Sequence, residues 1–332
     1  EGEVEDYEQG DVTGDLSGTI NGGESSEVVV TVDNVRTTKG HIQLDAVKSL
    51  SGRDFKAGDE WTFTLAAKDG APLNDENGDP YDEAKLSVNN DGSSIEFPTL
   101  YYTLDDLGGN AIKRFAYTIT ETGKVAGVVN DTQSVKEIVV TVSDNGSGYT
   151  ELSVTRSDAA NKTTFSNTYS ATGSTQLTAK KSVNDKAPAS NEKFTFMLTP
   201  MDGAPTNKAD GTAYSDTELS VQNSGEDITF PELFYTQEDA GETYKYTVSE
   251  RQETRAGYTL DKTAYTVEVT VKDEAKNGTL TITKTVDSEA DKAITFANTY
   301  AATGDVELTA QKTVNGEVPS GSEQFTFTLA AV

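Results

Sequence analysis

The chain contains no cysteine. No disulfide can staple it, and no thiolate is available as a nucleophile or metal ligand. Histidine occurs once, as His41 at the start of a strand-like segment. A lone histidine at a strand start is usually surface, and no nucleophile elbow, phosphate loop or Cys/His metal cluster is present, which argues against a turnover enzyme. Basic residues are scarce: 27 Lys and Arg stand against 55 Asp and Glu, for a net charge of −28. Such a field repels nucleic acid and anionic membrane surfaces. Long apolar runs are also missing. No stretch approaches the roughly 20 residues that span a bilayer, so no membrane insertion is expected in this segment. No segment keeps a 3.6-residue apolar period through three turns, which argues against a helical fold.

What the chain does have is repetition. Residues 42–169 read "IQLDAVKSL…WTFTLAAKDGAP…IEFPTLYYT…FAYTITE…TTFSNTY", and residues 175–300 read "TQLTAKKSV…FTFMLTPMDGAP…ITFPELFYT…YKYTVSE…ITFANTY". The period of about 130 residues is too long for a solenoid unit and is the size of one independent domain. A third copy starts at "VELTAQKTV", placing Lys312 where the others have Lys48 and Lys181. Near the start, "EVVVTVDNVRTT" resembles the last strand of a copy, with Asn34 in the asparagine position. Four segments are therefore expected: 1–37 as the C-terminal part of a preceding β domain, 38–171 and 172–301 as complete repeats, and 302–332 as the first strands of a truncated third. On this reading the sequence is an excerpt of a longer protein.

Each repeat reads as short strands, β-branched or aromatic and broadly alternating. In the first copy they are "HIQLDAVKSL", "EWTFTLAA", "SSIEFP", "RFAYTITE", "KEIVVTVSD", "YTELSVTR" and "KTTFSNTY", separated by Gly, Asn and Asp clusters. About seven strands per domain point to an immunoglobulin-like sandwich. The expected fold is all-β, with tandem sandwich domains arranged end to end. "YYTLDDLGG" and "FYTQEDAG" are each expected to form one helical turn.

Three polar residues recur on apolar strand faces. Alternate residues of a strand share a face. Lys48 therefore points with Leu44, Ala46 and Leu50, and Lys181 with Leu177, Ala179 and Val183. Glu121 sides with Tyr117 and Ile119, and Glu250 with Tyr246 and Val248. Asn167 sides with Phe165 and Tyr169, and Asn298 with Phe296 and Tyr300. Lys48 to Asn167 spans 119 positions and Lys181 to Asn298 spans 117. Two accounts fit. One is a buried Lys–Glu ion pair with an Asn hydrogen bond. The other is chemistry: desolvation disfavours both charged forms, so the lysine becomes a neutral amine nucleophile and the glutamate a proton-bearing carboxyl. That carboxyl would hydrogen-bond the Asn carboxamide oxygen, polarise its carbon and relay protons while ammonia leaves.

A strand lysine, then "Y-T-[IV]-[TS]-E", then "F-[SA]-N-T-Y" resembles the pilin isopeptide-linkage repeats of Gram-positive surface proteins, the group of T-antigen-type major pilins and tandem-domain adhesin stalks. "YTVSERQETRAGY", residues 246–258, is similar to the E-box of these proteins; the first copy has Val128 where that motif has its Tyr. The resemblance implies that Lys48 and Lys181 are the amines, Asn167 and Asn298 the acceptors, and Glu121 and Glu250 the catalytic promoters. It also implies a structural stalk of a cell-wall-anchored extracellular protein. Its partners would be neighbouring domains of the stalk, with any host ligand engaged outside these residues. No cofactor is implied, nor an enzyme beyond one self-crosslinking event per domain.

The alternative function is a ligand-binding adhesin module. Tyr101/Tyr102 and Phe234/Tyr235 are aromatic pairs that could face a glycan, although their presence in both copies favours core packing. Asn74 to Glu83, with Asp75, Asn77 and Asp79 alternating, could attract a cation, but it lacks the EF-hand spacing, and a solvated acidic loop is the preferred reading.

Overall fold

A computed structural model describes residues 7–14, 29–146 and 150–331. Parts of the expected leading segment (1–6 and 15–28), the tip of one loop (147–149) and Val332 lie outside the described residues.

β1 (Tyr7–Gly14) and β2 (Val30–Arg36) form an antiparallel hairpin. The first repeat follows as β3 (Lys39–Ser51), β4 (Thr62–Ala67), β5 (Ser87–Asn89), β6 (Ser94–Thr103), β7 (Ile112–Thr122), β8 (Val128–Val129), β9 (Val135–Ser143), β10 (Ser153–Arg156) and β11 (Thr164–Tyr169). These make two sheets, β10-β9-β7-β4-β5 and β6-β3-β11-β8. The second repeat comprises β12 (Thr172–Val183), β13 (Thr195–Pro200), β14 (Ser220–Gln222), β15 (Asp227–Thr236), β16 (Thr243–Glu250), β17 (Tyr258–Thr259), β18 (Ala264–Lys272), β19 (Thr281–Val286), β20 (Glu289–Ala290) and β21 (Thr295–Tyr300). Its sheets are β15-β12-β21-β17 and β14-β13-β16-β18-β19-β20. The chain is thus a tandem all-β sandwich protein.

The seven strands expected of the first repeat are β3, β4, β6, β7, β9, β10 and β11. The additions, β5 and β8, are three and two residues long. The inner faces follow the alternation: Leu44, Phe63, Ile95, Tyr117, Val140 and Phe165 are fully buried. The helical turns are present at Leu104–Leu107 and Gln237–Asp239. In each, the threonine N–H before the turn donates to an aspartate, Thr103 to Asp106 (2.7 Å) and Thr236 to Asp239 (2.8 Å). Both satisfy a backbone donor that a helix start leaves open.

The topology brings the ends of each repeat together. β3 pairs antiparallel with β6 on one side and parallel with β11 on the other, with Lys48 opposite Phe165 and Leu50 opposite Asn167. β12 and β21 repeat this, with Lys181 opposite Phe296 and Val183 opposite Asn298. The first and last strands of a domain are therefore neighbours in one sheet. The residues after Tyr300 behave differently. Between 302 and 331 no strand forms among the described residues, and a single bridge joins Val314 to Glu317. In the complete repeats the first strand is held by β6 and β11 or by β15 and β21. A lone strand has nothing to hydrogen-bond and is not stable in water.

Candidate functional site

Lys48 and Asn167 come from neighbouring strands of one sheet, and Glu121 faces them from β7 in the other. The three meet across the sandwich. All are buried, Lys48 at 0%, Glu121 at 3% and Asn167 at 1% exposure; Lys181, Glu250 and Asn298 are at 1%, 3% and 1%. Each expected residue lies where alternation placed it.

In the first repeat Glu121 Oε1 is 3.1 Å from Lys48 Nζ and accepts a hydrogen bond from Asn167 Nδ2 at 2.9 Å. Lys48 Nζ also donates to the Phe165 carbonyl at 3.0 Å. In the second, Lys181 Nζ donates to Glu250 Oε2 at 3.0 Å, and Asn298 Nδ2 donates to Glu250 Oε1 at 2.7 Å. One carboxylate thus holds the amine and the carboxamide together in both copies. An aromatic ring roofs each amine: Trp61 and Phe194 each lie 4.9 Å from a lysine Nζ. Burial pushes both ammonium groups below the usual lysine range, and the neighbouring carboxylate offsets this only in part. A buried lysine that gives up its proton is a nucleophile.

The far side of the carboxamide adds a feature that strand facing does not show. The Asp131 backbone N–H donates to Asn167 Oδ1 at 2.7 Å, and that of Asp261 to Asn298 Oδ1 at 2.7 Å. A backbone N–H can only donate, so it fixes which way the amide points. The oxygen faces the N–H and the nitrogen faces the glutamate. This differs from the expectation that the glutamate would bond the oxygen. The carboxyl instead sits beside the nitrogen that would leave, and the backbone supplies the donor to the oxygen. Each aspartate also ties its loop to the last strand. Asp131 Oδ2 accepts the Ser166 N–H (2.9 Å) and Asp261 Oδ2 accepts the Ala297 N–H (2.8 Å). The sequence carries a faint signal for this, "DTQ" and "DKT" ten and eleven residues after the glutamates.

Of the aromatic pairs, Tyr101 and Phe234 are half-buried. Tyr102 and Tyr235 are fully buried, and their hydroxyls pair with those of Tyr117 (2.9 Å) and Tyr246 (3.0 Å). In the acidic loop Asp75 Oδ1 accepts the N–H groups of Asn77 and Asp79, which builds a turn. Among the described residues no group of three or more His, Cys, Asp and Glu is arranged to hold a metal ion. Lys312 Nζ lies 4.6 Å from the Phe325 ring, the counterpart of the Phe194 roof. Asn34 lies exposed on β2.

Two domains with one buried Lys–Glu–Asn trio apiece define a class of β-sandwich in which a single carboxylate holds an amine and a carboxamide. The chain belongs to the FctA family, the Spy0128-like isopeptide containing domains, which matches residues 44–170 and again 177–301. A comparison with curated proteins finds no match. Among solved structures, the major pilin from Streptococcus pyogenes is similar at 17% identity, covering 78% of this chain and 98% of that one, with a TM-score of 0.24. The C-terminal fragment of the pilus adhesin SpaC from Lactobacillus rhamnosus GG is similar at 14% identity, covering 79% and 100%, also with a TM-score of 0.24.

Proposed function

We propose that each repeat closes itself with one isopeptide bond, Lys48 to Asn167 and Lys181 to Asn298, and that the closed repeats serve as stalk elements of a bacterial surface fibre or adhesin. The observation that carries this reading is one buried carboxylate bonded to both the amine and the carboxamide, in two copies. The reaction starts from an amine and a carboxamide that both already touch the same carboxylate. A lysine proton passes to the glutamate, and the neutral Nζ attacks the asparagine Cγ. The developing oxyanion on Oδ1 meets the N–H of Asp131 or Asp261, a preorganised donor of the kind that stabilises tetrahedral intermediates. The glutamate returns its proton to Nδ2, the Cγ–Nδ2 bond breaks, and ammonia leaves with a further proton from Nζ. A secondary amide remains and the glutamate is regenerated. Nothing turns over, so the chemistry is a single maturation event.

The topology suits a stalk. The bond links the first strand to the last, so tension entering at one end and leaving at the other passes through the amide. Most of the domain lies in a closed loop that tension cannot stretch. On this reading the protein works at the cell surface, anchored at the wall, with neighbouring repeats as its main partners. The test is intact mass. Maturation removes the mass of two ammonia molecules from the 332-residue chain, and Glu121→Ala or Glu250→Ala restores one. A full sequence mass in the unaltered chain overturns the reading.

A further inference from the structure

The two repeats meet through a small, fully bonded joint that the crosslinking chemistry does not use. Tyr169, the last residue of β11, is 2% exposed, although its strand ends there. Its hydroxyl lies 3.0 Å from both carboxylate oxygens of Asp273 and accepts the Gly278 N–H at 3.0 Å. Asp273 and Gly278 both belong to the loop after β18 of the second repeat. The donor and acceptor capacity of the hydroxyl is therefore spent on the neighbouring domain.

The backbone supports this contact on both sides. The connection is two residues, Ser170 and Ala171, and not the five of "SATGS". Ser170 N–H donates to Gly127 of the first repeat at 2.9 Å, and Thr172 N–H to Gly278 of the second at 3.2 Å. Gly127 and Gly278 touch: a Cβ on Gly127 would fall 2.5 Å from Gly278 Cα and 2.7 Å from the Tyr169 ring. At φ of +75° and +91° both positions also favour glycine. From the first repeat Arg53 stacks 4.7 Å over the Tyr169 ring, and Lys56 Nζ reaches the carbonyls of Ala275 (3.0 Å) and Lys276 (2.7 Å). Beside these contacts lies a cleft of about 500 Å³, lined by Arg53, Gln237, Asp273 and Lys276 among others. The joint thus combines directed bonds with apolar packing, since Tyr169 and Ala171 join the second repeat's core and Leu50 and Val128 pack against it.

The same device occurs one step earlier in the chain. Arg36 ends β2 as Tyr169 ends β11, and its guanidinium grips Asp144 (2.6 and 3.2 Å), in the loop after β9. Asp144 corresponds to Asp273. The first strands are then anchored alike, Leu152 N–H to Lys39 O (3.0 Å) and Leu280 N–H to Thr172 O (2.9 Å).

We propose that the residue closing each last strand is a docking site for the aspartate-bearing loop of the next repeat, and that the Tyr169–Asp273–Gly278 contact locks adjacent repeats at a fixed angle. A stalk built this way transmits bending as well as tension. Isopeptide closure makes each domain inextensible, and the latch decides whether the string of domains is a rod or a chain of loose beads.

Residual dipolar couplings on the full chain test this directly. Both repeats should share one alignment tensor in the unaltered protein. Tyr169→Phe keeps the buried ring and removes the hydroxyl, and Asp273→Asn keeps the volume and removes the charge; each should give two independent tensors. Tyr300→Phe alters the corresponding residue of the second repeat, which is 44% exposed, and should leave the shared tensor intact. Intact masses two ammonia below each variant's own sequence mass, with unchanged thermal midpoints, separate a loosened joint from an unfolded domain or a lost crosslink. Two independent tensors in the unaltered chain overturn the proposal, as does a shared tensor in both Tyr169→Phe and Asp273→Asn.

Discussion

The two repeats hold the same three polar side chains in different surroundings. In the first, Trp61 covers the amine, and its indole N–H donates to Asn130 Oδ1 at 3.0 Å. In the second, Phe194 covers it, and Leu260 stands where Asn130 did. A buried indole needs an acceptor and a phenyl ring does not, so roof and neighbour differ together. The carboxylates differ as well. Glu121 serves Lys48 and Asn167 with one oxygen, and its Oε2 is buried without a partner. Glu250 gives each partner its own oxygen. What stays fixed is the amine near the carboxylate, the Asn nitrogen on the carboxylate and the Asn oxygen on a backbone N–H. On the proposed reading, chemistry constrains those contacts, whereas packing only has to fill the space around them.

The most forceful way to break the equivalence is to remove one acceptor at a time. Asn167→Ala should leave repeat 2 crosslinked and repeat 1 open, and Asn298→Ala the reverse. By analogy with a disulfide closing a loop of about 100 residues, the opened repeat should lose about 4–5 kcal/mol. Single-molecule pulling should show the chain between Lys48 and Asn167 extending in the first variant only. Equal extension of both repeats in the unaltered chain would show that neither is closed.

Removing the proton relay sharpens the comparison between the two carboxylates. General acid–base groups contribute about 10²–10⁴-fold. Glu121→Gln and Glu250→Gln should each slow ammonia loss by that order in their own repeat, as read by mass after timed refolding. With one oxygen serving both partners, Glu121 should also be the slower catalyst in the unaltered chain. Faster closure of repeat 1 would contradict the link drawn here between bonding geometry and rate.

The roofs can be exchanged. Phe194→Trp places an indole N–H beside Leu260 and should cost about 1–3 kcal/mol for a buried donor without an acceptor. Adding Leu260→Asn should recover most of it. A double-mutant cycle by chemical denaturation measures the coupling. Additive effects would mean that the Trp61–Asn130 pairing is incidental.

Much of this was legible from the residues, because a period of two is easy to read. Lys48, Glu121 and Asn167 each fall in step with large apolar neighbours, and the match of 119 and 117 positions brought the copies into register. The parallel pairing of β3 with β11 was not legible, since alternation gives the facing of a strand and never its neighbour. Asp131 and Asp261 were missed for a related reason. Their part in the site is played by a main-chain N–H, which every residue but proline has, and its aim is set by loop geometry. The Tyr169 joint was hidden because Tyr169 looks like the end of one domain, while its hydroxyl answers to a loop about a hundred residues on. The strands expected after residue 302 have suitable sequence but lack their pairing partners.

The smallest expected effect separates the repeats by acid. Burial pushes the Asp131 carboxyl up, but the Ser166 and Gln133 N–H groups and the Lys136 ammonium (3.0 Å) outweigh it and hold it at about 2 against 3.8 in a free chain. Asp261 is also lowered, by the hydroxyl and N–H of Thr263, the Ala297 N–H and the Lys181 charge against the same burial cost. A carboxyl with a depressed folded pKa binds fewer protons folded than unfolded. Its contribution is complete above about pH 4 and fades as pH falls toward 2, worth about 2 kcal/mol for Asp131. Trp61 is the chain's only tryptophan, so its fluorescence reports on repeat 1 alone. Guanidinium unfolding followed at that signal should weaken from pH 4 to pH 2, and Asp131→Asn should flatten the dependence. Because the Asp131 carboxylate also holds the loop whose N–H meets Asn167 Oδ1, the same variant should slow closure of repeat 1 at neutral pH. An unchanged acid slope together with an unchanged closure rate would reduce Asp131 to a surface turn.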